Sequence, residues 1–586
     1  MIDFSAIDPL IIGMSATIFA AVLWFSVSRG SALMMFFQQE EYDNIRFVAW
    51  LKDKQAYDQT ASFWLLITAI FSAFLQSDVS TNLHNQSSLF SLIPFVLFAF
   101  GIGLGVHLSS KARKDNKKPL VRTDRVKRIM WVYGLLALTA LALAFWLASF
   151  APVGTNYSVS YEENAESWLD SFEFLSLNHD WRFAAFTMLT IGLFQLLPFL
   201  IIGANKLLEP YEERVKAKFR TEAVEKFKKL NPKVIAITGS FGKTSTKHIL
   251  AHILQAAAPT LATPGSVNTE MGITRVIREQ LTADHQFFIV EMGAYGPGSI
   301  ARLCRLTPPD VALITAVGAA HYERFKSIGT VAKAKFEIAE AAFNNGGTAI
   351  ISTDGIPAEH VAERTEAVPG SYTRVGALGD IKIKDHKITA DGLVIHILDG
   401  KDEHIITAPL YGHHQAENIV MAAATARAVG LPWSAIKGAL ASVPQIRFRL
   451  EVSRSEGAPT LINDAYNSNP IGFAAALECL DVLVKPNGRR ILVTPGMVEL
   501  GAIHDAEHER LGALTAKHAD VVCVVTPERI PSFVKGLEAN NDGSTTVMTF
   551  GCQEDAEKWV KANWKTEDAV LFENNLPDLY EATVRF

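Results

Sequence analysis

Residues 234–249 read VIAITGSFGKTSTKHI. Val234–Ile237 is a β-branched apolar run, and beyond the glycines apolar residues recur at helical spacing through Ile249, Leu250, Ile253 and Leu254. Strand, glycine loop and helix in that order form a phosphate cradle. The backbone N–H groups of Gly239-Ser240-Phe241-Gly242-Lys243-Thr244-Ser245 and the helix N-terminus face an anion, Lys243 adds a point charge, and the Thr244 hydroxyl is placed to hold Mg²⁺. The longer form of this pattern has a glycine where Ile237 stands, so the shorter GxxGKT form takes its weight from the flanking strand and helix. The domain built on it is expected to handle a nucleoside triphosphate.

A chain of 586 residues holds several domains, and a net charge of −6 gives no reason to expect a nucleic-acid partner. The four cysteines, Cys304, Cys479, Cys523 and Cys552, form no CxxC pair, which suits reduced thiols. Hydrophobicity is concentrated in residues 1–205. Five uncharged apolar stretches, Pro9–Ser28, Gln59–Ser77, Leu89–Val106, Trp131–Phe150 and Phe183–Ala204, have or approach the length needed to cross a hydrocarbon core of roughly 30 Å. The expectation is an α-helical membrane domain of about five spans. With no charge inside a span, no ion or proton pathway is read there.

Loop charges orient these spans. His107–Met130 carries nine Lys/Arg, whereas Ala151–Arg182 has only Arg182 against six acidic residues, and 76–88 has no basic residue. Basic loops lie inside. The expected placement is a multi-pass membrane protein with its N-terminus outside and everything after Ala204 in the cytoplasm. Residues 206–232, rich in both charge signs, read as a helical juxtamembrane linker ending at Pro232.

From Val234 to Gln445, apolar runs (Phe287–Met292, Val311–Thr315, Thr348–Ser352) alternate with helical patterns (Ser299–Cys304, Val331–Ala342), which argues a mostly parallel sheet covered by helices. Glu291 closes one strand, His321 follows another, and Lys335 lies near the start of a helix. Ligands bind at such strand ends, and a carboxylate and an imidazole near Thr244 are candidate Mg²⁺ ligands. Residues 446–586, with strands at Thr460–Asn463, Arg490–Pro495, Val521–Thr526 and Ala569–Phe572, read as a smaller Rossmann-like α/β domain. His504-Asp505-Ala506-Glu507-His508 matches the H-x-x-E-H zinc pattern, but its helix is polar and no third ligand is evident.

GSFGKTS, TPGSVNTEMG (263–272), EMGAYGPGSI (291–300), ITAVGAAHYERFKS (314–327), AKFEI (334–338), GHHQAEN (412–418), IRFRLEV (446–452), INDAYNSNP (462–470) and GMVELG (496–501) follow one another as in the Mur ligases. The chain most resembles the MurF type, which adds D-alanyl-D-alanine to the peptidoglycan precursor. The resemblance implies an ATP- and Mg²⁺-dependent acid–amino-acid ligase acting through an acyl phosphate. It implies that Lys243 and the loop hold the phosphates, that Thr244, Glu291 and His321 serve magnesium, and that Lys335 is a carbamylated metal-binding lysine. Asn268 would sit near the acyl-phosphate oxygens, and Asn418, Arg449 and Asp464 would contact adenine, phosphate and ribose.

Three departures bear on substrate. The family's small UDP-sugar domain has the apolar stretches in its place, a family lysine is Glu573, and the residue after the family's histidine is Gln415. The expected partner is therefore a small-molecule or lipid-linked precursor met at the bilayer. The rival of another class is an ATP-driven membrane transporter.

Overall fold

The computed structural model describes residues 9–75, 93–114, 119–148, 150, 181–318, 325, 327–465, 469–498 and 500–574. It divides into two units, residues up to Arg214 and Val215–Leu576.

The first unit is helical: Pro9–Gln39, Asn44–Asp53, Thr60–Leu75, Ile93–Lys114, Asp124–Ala148, and Trp181–Leu230 as far as Arg214. Among the described residues four helices are long and apolar enough to cross a membrane: Ala16–Gln39, Ile93–Lys114, Asp124–Ala148 and Trp181–Leu230. The fifth expected span is the 16-residue helix Thr60–Leu75, about 24 Å at 1.5 Å per residue. Residues 76–77 of that stretch, and 89–92 of the next, lie outside the described residues. Large apolar side chains such as Trp24, Phe63, Ile70, Phe100, Trp131 and Trp146 face outward.

One expectation fails in this unit. The first helix does not stop at Ser28, because residues 31–37 (SALMMFF) continue its apolar, helix-forming pattern. Arg29 therefore lies within this candidate span, 2% exposed, with Asp58, 4% exposed, as its opposing charge. Neighbouring polar groups also tie the helices together. Tyr133 Oη donates to the Ser26 carbonyl at 2.7 Å, Arg113 to the Ser28 carbonyl at 2.7 Å, and Gln195 to the Asp58 carbonyl at 2.7 Å. Gly30 permits the first of these contacts, since a Cβ there would stand 2.3 Å from the Tyr133 ring.

The second unit contains two sheets. β1 (Lys233–Thr238), β2 (Thr260–Ala262), β3 (Phe287–Glu291), β4 (Val311–Ile314), β5 (Thr348–Ser352), β6 (Tyr372–Val375), β7 (Ile381–Thr389), β8 (Gly392–Asp399) and β9 (Asp402–Ala408) pair in the order β2-β3-β1-β4-β5-β6-β7-β8-β9. From β2 to β7 the pairing is parallel, and β7-β8-β9 is antiparallel. The buried strands β1, β3 and β4 are continuous apolar runs, as sheets covered on both faces require. Helix Ala358–Ala367 and strands β6 to β9 lie outside the elements expected from sequence. The alternation in IKIKDHKIT and the tight turns at 390–391 and 400–401 are the signals that mark the β7-β8-β9 part.

β10 (Glu451–Ser453), β11 (Thr460–Asp464), β12 (Arg490–Thr494), β13 (Val521–Val525), β14 (Thr546–Phe550) and β15 (Ala569–Glu573) form the second sheet, ordered β10-β11-β15-β12-β13-β14 and parallel except for β10. Residues 215–230 pack on the first sheet's domain, with Ala223 and Phe227 in the same core as Ile277 and Phe288. Cys304, Cys479, Cys523 and Cys552 are all free thiols.

Candidate nucleotide site

β1 runs into the loop Gly239–Gly242, and helix Lys243–Gln255 leaves it. The loop lies where β1 is flanked by β3 and β4, the place at which an open α/β sheet changes winding direction and leaves a crevice. The end of β4 fixes its shape. Thr315 Oγ1 donates to the Phe241 carbonyl, Ser240 N–H donates to the Ala316 carbonyl at 2.8 Å, and Gly318 N–H donates to Ser240 Oγ at 2.9 Å. A Cβ at Gly239 would lie 1.9 Å from Thr315 Oγ1, so only glycine fits there. Gly242 has φ 79°, a left-handed conformation that turns the chain into the helix.

The helix then points its first turns at β3. Thr244 Oγ1 donates to Glu291 Oε2 at 3.0 Å, and Asn268 Nδ2 lies 3.4 Å from Glu291 Oε1. Tyr295 Oη donates to Asn268 Oδ1 at 2.9 Å, and the Gly293 N–H donates to the Asn268 carbonyl at 2.9 Å, so the Asn268 amide is aimed at Glu291. Lys243 Nζ folds onto the Gly239 carbonyl at 2.6 Å. Burial lowers its pKa, and the charges of Arg449 and Lys247 act in the same direction. Lys335, in helix Ile328–Asn344, is 4% exposed, and burial together with the Lys243 charge drives its pKa well below the ordinary lysine value.

Two residues join the site that sequence reasoning missed. Lys247, one helical turn after Lys243, is buried and donates to Glu291 Oε2 at 2.8 Å and to the Gly265 carbonyl at 2.5 Å. Its spacing of four from Lys243 was the available signal. Tyr295, which holds Asn268, had none. His321 lies outside the described residues. Among the described residues no group of three or more His, Cys, Asp or Glu gathers to hold a metal.

Asn418 sits against the loop. Its Oδ1 accepts from Thr246 Oγ1 at 3.1 Å, and its Nδ2 donates to Gln415 Oε1 at 3.0 Å. Arg449 occupies the connection to the second sheet, between Phe448 and Leu450, whose φ values are 60° and 48°. Its charge acts on Lys243, Lys247, His414 and Asp464. Asp464 and Glu573 are register partners at the ends of β11 and β15. Burial raises Asp464 to about 6, against the Leu450 N–H, the Arg449 charge and a hydrogen bond with Glu573. Glu573 itself is fully buried rather than turned to solvent.

The H-x-x-E-H segment is structural. His508 Nε2 accepts from the Met497 N–H at 3.0 Å while Nδ1–H donates to the His504 carbonyl at 2.8 Å, so neither ring nitrogen is available to a metal.

Two family models match the second unit: the Mur ligase middle domain at residues 237–426, and the Mur ligase, glutamate ligase domain at 448–573. The UDP-N-acetylmuramoyl-tripeptide–D-alanyl-D-alanine ligase of Escherichia coli K12 is 33% identical over 285 residues, 48% of this chain and 61% of the relative. That of Mycobacterium bovis is 32% identical over 48% of this chain and 56% of its own length. The chain thus spans about three fifths of the length of these relatives. A crystal structure of MurF from Acinetobacter baumannii superposes with TM-score 0.54 at 26% identity, covering 61% of this chain and 77% of that one. MurF from Thermotoga maritima in complex with ADP gives TM-score 0.54 at 26% identity over 63% and 82%. Through residues 237–426 and 448–573, the chain belongs to the Mur ligase family.

Proposed function

We propose that this protein is an ATP-dependent carbon–nitrogen ligase of MurF type, joining an amino acid or short peptide to a cell-wall precursor. The observation that carries the reading is the convergence of Thr244 Oγ1, Glu291 Oε2 and the Asn268 amide at the mouth of the glycine loop, ringed by Lys243, Lys247 and Arg449. Such a reaction must bring a carboxylate and a triphosphate, both anionic, to bonding distance, and a preorganised array of cations and dipoles makes that possible.

The residues present fit Mg²⁺, since Thr244 and Glu291 offer a pair of hard oxygen donors 3.0 Å apart. Thr244 and Glu291 would hold the ion, with His321 and a Lys335 carbamate as further ligands. Bound MgATP supplies the phosphoryl group that turns a substrate carboxylate into an acyl phosphate for displacement by an amine. Lys243 would leave the Gly239 carbonyl for the phosphates, and the Asn268 amide would donate to the acyl-phosphate oxygens. Asn418, Arg449 and Asp464 are assigned to adenine, phosphate and ribose. Positive φ values at Phe448 and Leu450 support reading this connection as a hinge about which residues 451–574 would close.

We assign the first unit to the bacterial cytoplasmic membrane, with the N-terminus outside. Four long apolar helices among the described residues, the shorter helix Thr60–Leu75 taken as a fifth crossing, and the basic character of 107–130 support this placement, an odd number of crossings being what carries an outside N-terminus to a cytoplasmic ATP unit. Residues 206–232 then serve as a helical linker, with 233–445 as the ATP domain and 446–586 as the C-terminal domain. On that placement the acceptor is a precursor at the inner leaflet, nucleotide- or lipid-linked. A transporter reading would ask for an acid closing an apolar strand, which Glu291 offers, and for polar residues within the spans, which among the described residues buried Arg29 and Asp58 offer. Incubating the protein with ATP, UDP-muramoyl-tripeptide and D-alanyl-D-alanine, or with a membrane extract in place of the nucleotide substrate, decides between them by mass spectrometry. A ligated product supports the ligase, whereas ATP hydrolysis without any product supports the transporter.

A further inference from the structure

Lys247 stands in an unusual position for a charged residue. Its side chain is 5% exposed, its Nζ lies 2.8 Å from Glu291 Oε2, and that same oxygen accepts from Thr244 Oγ1 at 3.0 Å. The two oxygens assigned to a metal are therefore already joined to each other, and the carboxylate's charge is met by an ammonium from inside the protein. A second bond, from Nζ to the Gly265 carbonyl at 2.5 Å, also holds the ammonium in place.

We propose that Lys247 is the resident cation of the metal site, a positioning residue that makes metal binding conditional on nucleotide. The inference rests on the nucleotide-site reading above. A divalent ion arriving alone must displace a buried ammonium from Glu291 and then remain beside it, with Lys243 also near. Like charges at such distances in a partly dry site repel strongly. Nucleotide phosphates remove the obstacle. Lys247 follows Lys243 by four residues, so the two ammonium groups leave one helix face a turn apart, Lys243 Nζ at the Gly239 carbonyl of the glycine loop and Lys247 Nζ at Glu291 beside the Thr244 hydroxyl. When phosphates enter, the Lys247 ammonium swings from Glu291 to them and uncovers Oε2 together with the Thr244 hydroxyl. Metal and nucleotide then bind together and release together, and the free protein holds neither ion nor an unpaired buried carboxylate.

The experiment is Mn²⁺ binding to the full-length protein, followed by electron paramagnetic resonance with and without ADP. Glu291→Gln identifies the signal that belongs to this site. In the wild-type protein, Glu291-dependent binding is expected only with ADP present. Lys247→Met, which keeps the length and removes the charge, is expected to bind Mn²⁺ without nucleotide at least about tenfold more tightly than wild type, and Lys247→Arg is expected to restore the dependence on ADP. Tight Glu291-dependent binding by nucleotide-free wild type overturns the proposal, and this arm does not require any Lys247 variant to fold. Unchanged nucleotide-free affinity in a Lys247→Met protein that still binds ADP overturns it as well. Loss of ligated product with the metal linkage intact counts against the ligase reading alone.

Discussion

Asn418 Oδ1 lies 2.4 Å from the point that a Cβ on Gly242 would occupy. A glycine in the left-handed region, with φ 79°, and an amide from a helix about 170 residues later in the chain therefore share one small space at the tip of the loop. Gly242→Ala should meet both a steric and a conformational penalty, together on the order of 1–3 kcal/mol. We expect ADP affinity to fall by about tenfold or more and the melting temperature to drop by a few degrees, the penalty being felt in the folded state. Isothermal titration calorimetry alongside thermal melting measures both.

Half-buried Glu417 precedes Asn418 in the chain and gives a pH dependence. It is bonded to Ser352 Oγ, and burial pushes its carboxyl up to about 7. The folded state thus holds its proton more tightly than the unfolded chain, whose value is 4.5. The stability it contributes is complete below pH 4.5 and is lost as pH rises through 7. Glu417→Gln should flatten the dependence of melting temperature on pH between 5 and 8 and make the variant relatively more stable at pH 8, by on the order of 1–3 kcal/mol.

His508 carries the opposite sign. Burial lowers its pKa to about 4, and the neutral ring accepts from the Met497 N–H. Its contribution is complete above 6.5 and is lost as pH falls toward 4. Residues 451–574 should therefore soften below pH 6, and His508→Ala, which leaves that buried N–H without its acceptor, should cost about 1–3 kcal/mol. A zinc chelator should change neither value.

Much of this is legible in the amino-acid sequence alone. The glycine loop announced itself because a β-branched run and a 3.6-residue period flank it, and Glu291 because it ends an apolar strand. Lys247 stayed hidden because a lysine in KTSTK reads as helix surface. Only the packing of that helix on β3 turns it toward Glu291. The end of the first helix was misjudged for a related reason: a charge at Arg29 reads as a boundary, yet the apolar residues after it carry the helix on and Asp58 answers the charge. Glu573 read as a change in the substrate pocket, whereas its register with Asp464 turns it into a buried partner of another carboxylate.

Lys335 offers a chemical test. A buried amine driven toward its neutral form is the nucleophile that captures carbon dioxide, and helix Ile328–Asn344 holds it beside the site. In bicarbonate labelled with carbon-13, the protein should show a carbamate resonance that is missing from Lys335→Gln. That variant should lose ligation by about a hundredfold or more, if the carbamate helps hold the metal.

The central claim is that the glycine loop drives bond formation between a carboxylate and an amine. Mass spectrometry of the full-length protein with ATP, UDP-muramoyl-tripeptide or membrane-extracted precursor, and D-alanyl-D-alanine tests it most directly. The account predicts a product heavier by the amine less one water, formed with ADP and phosphate and absent with Lys243→Ala. ATP consumed with no such product from either precursor, or full product from Lys243→Ala, would contradict it.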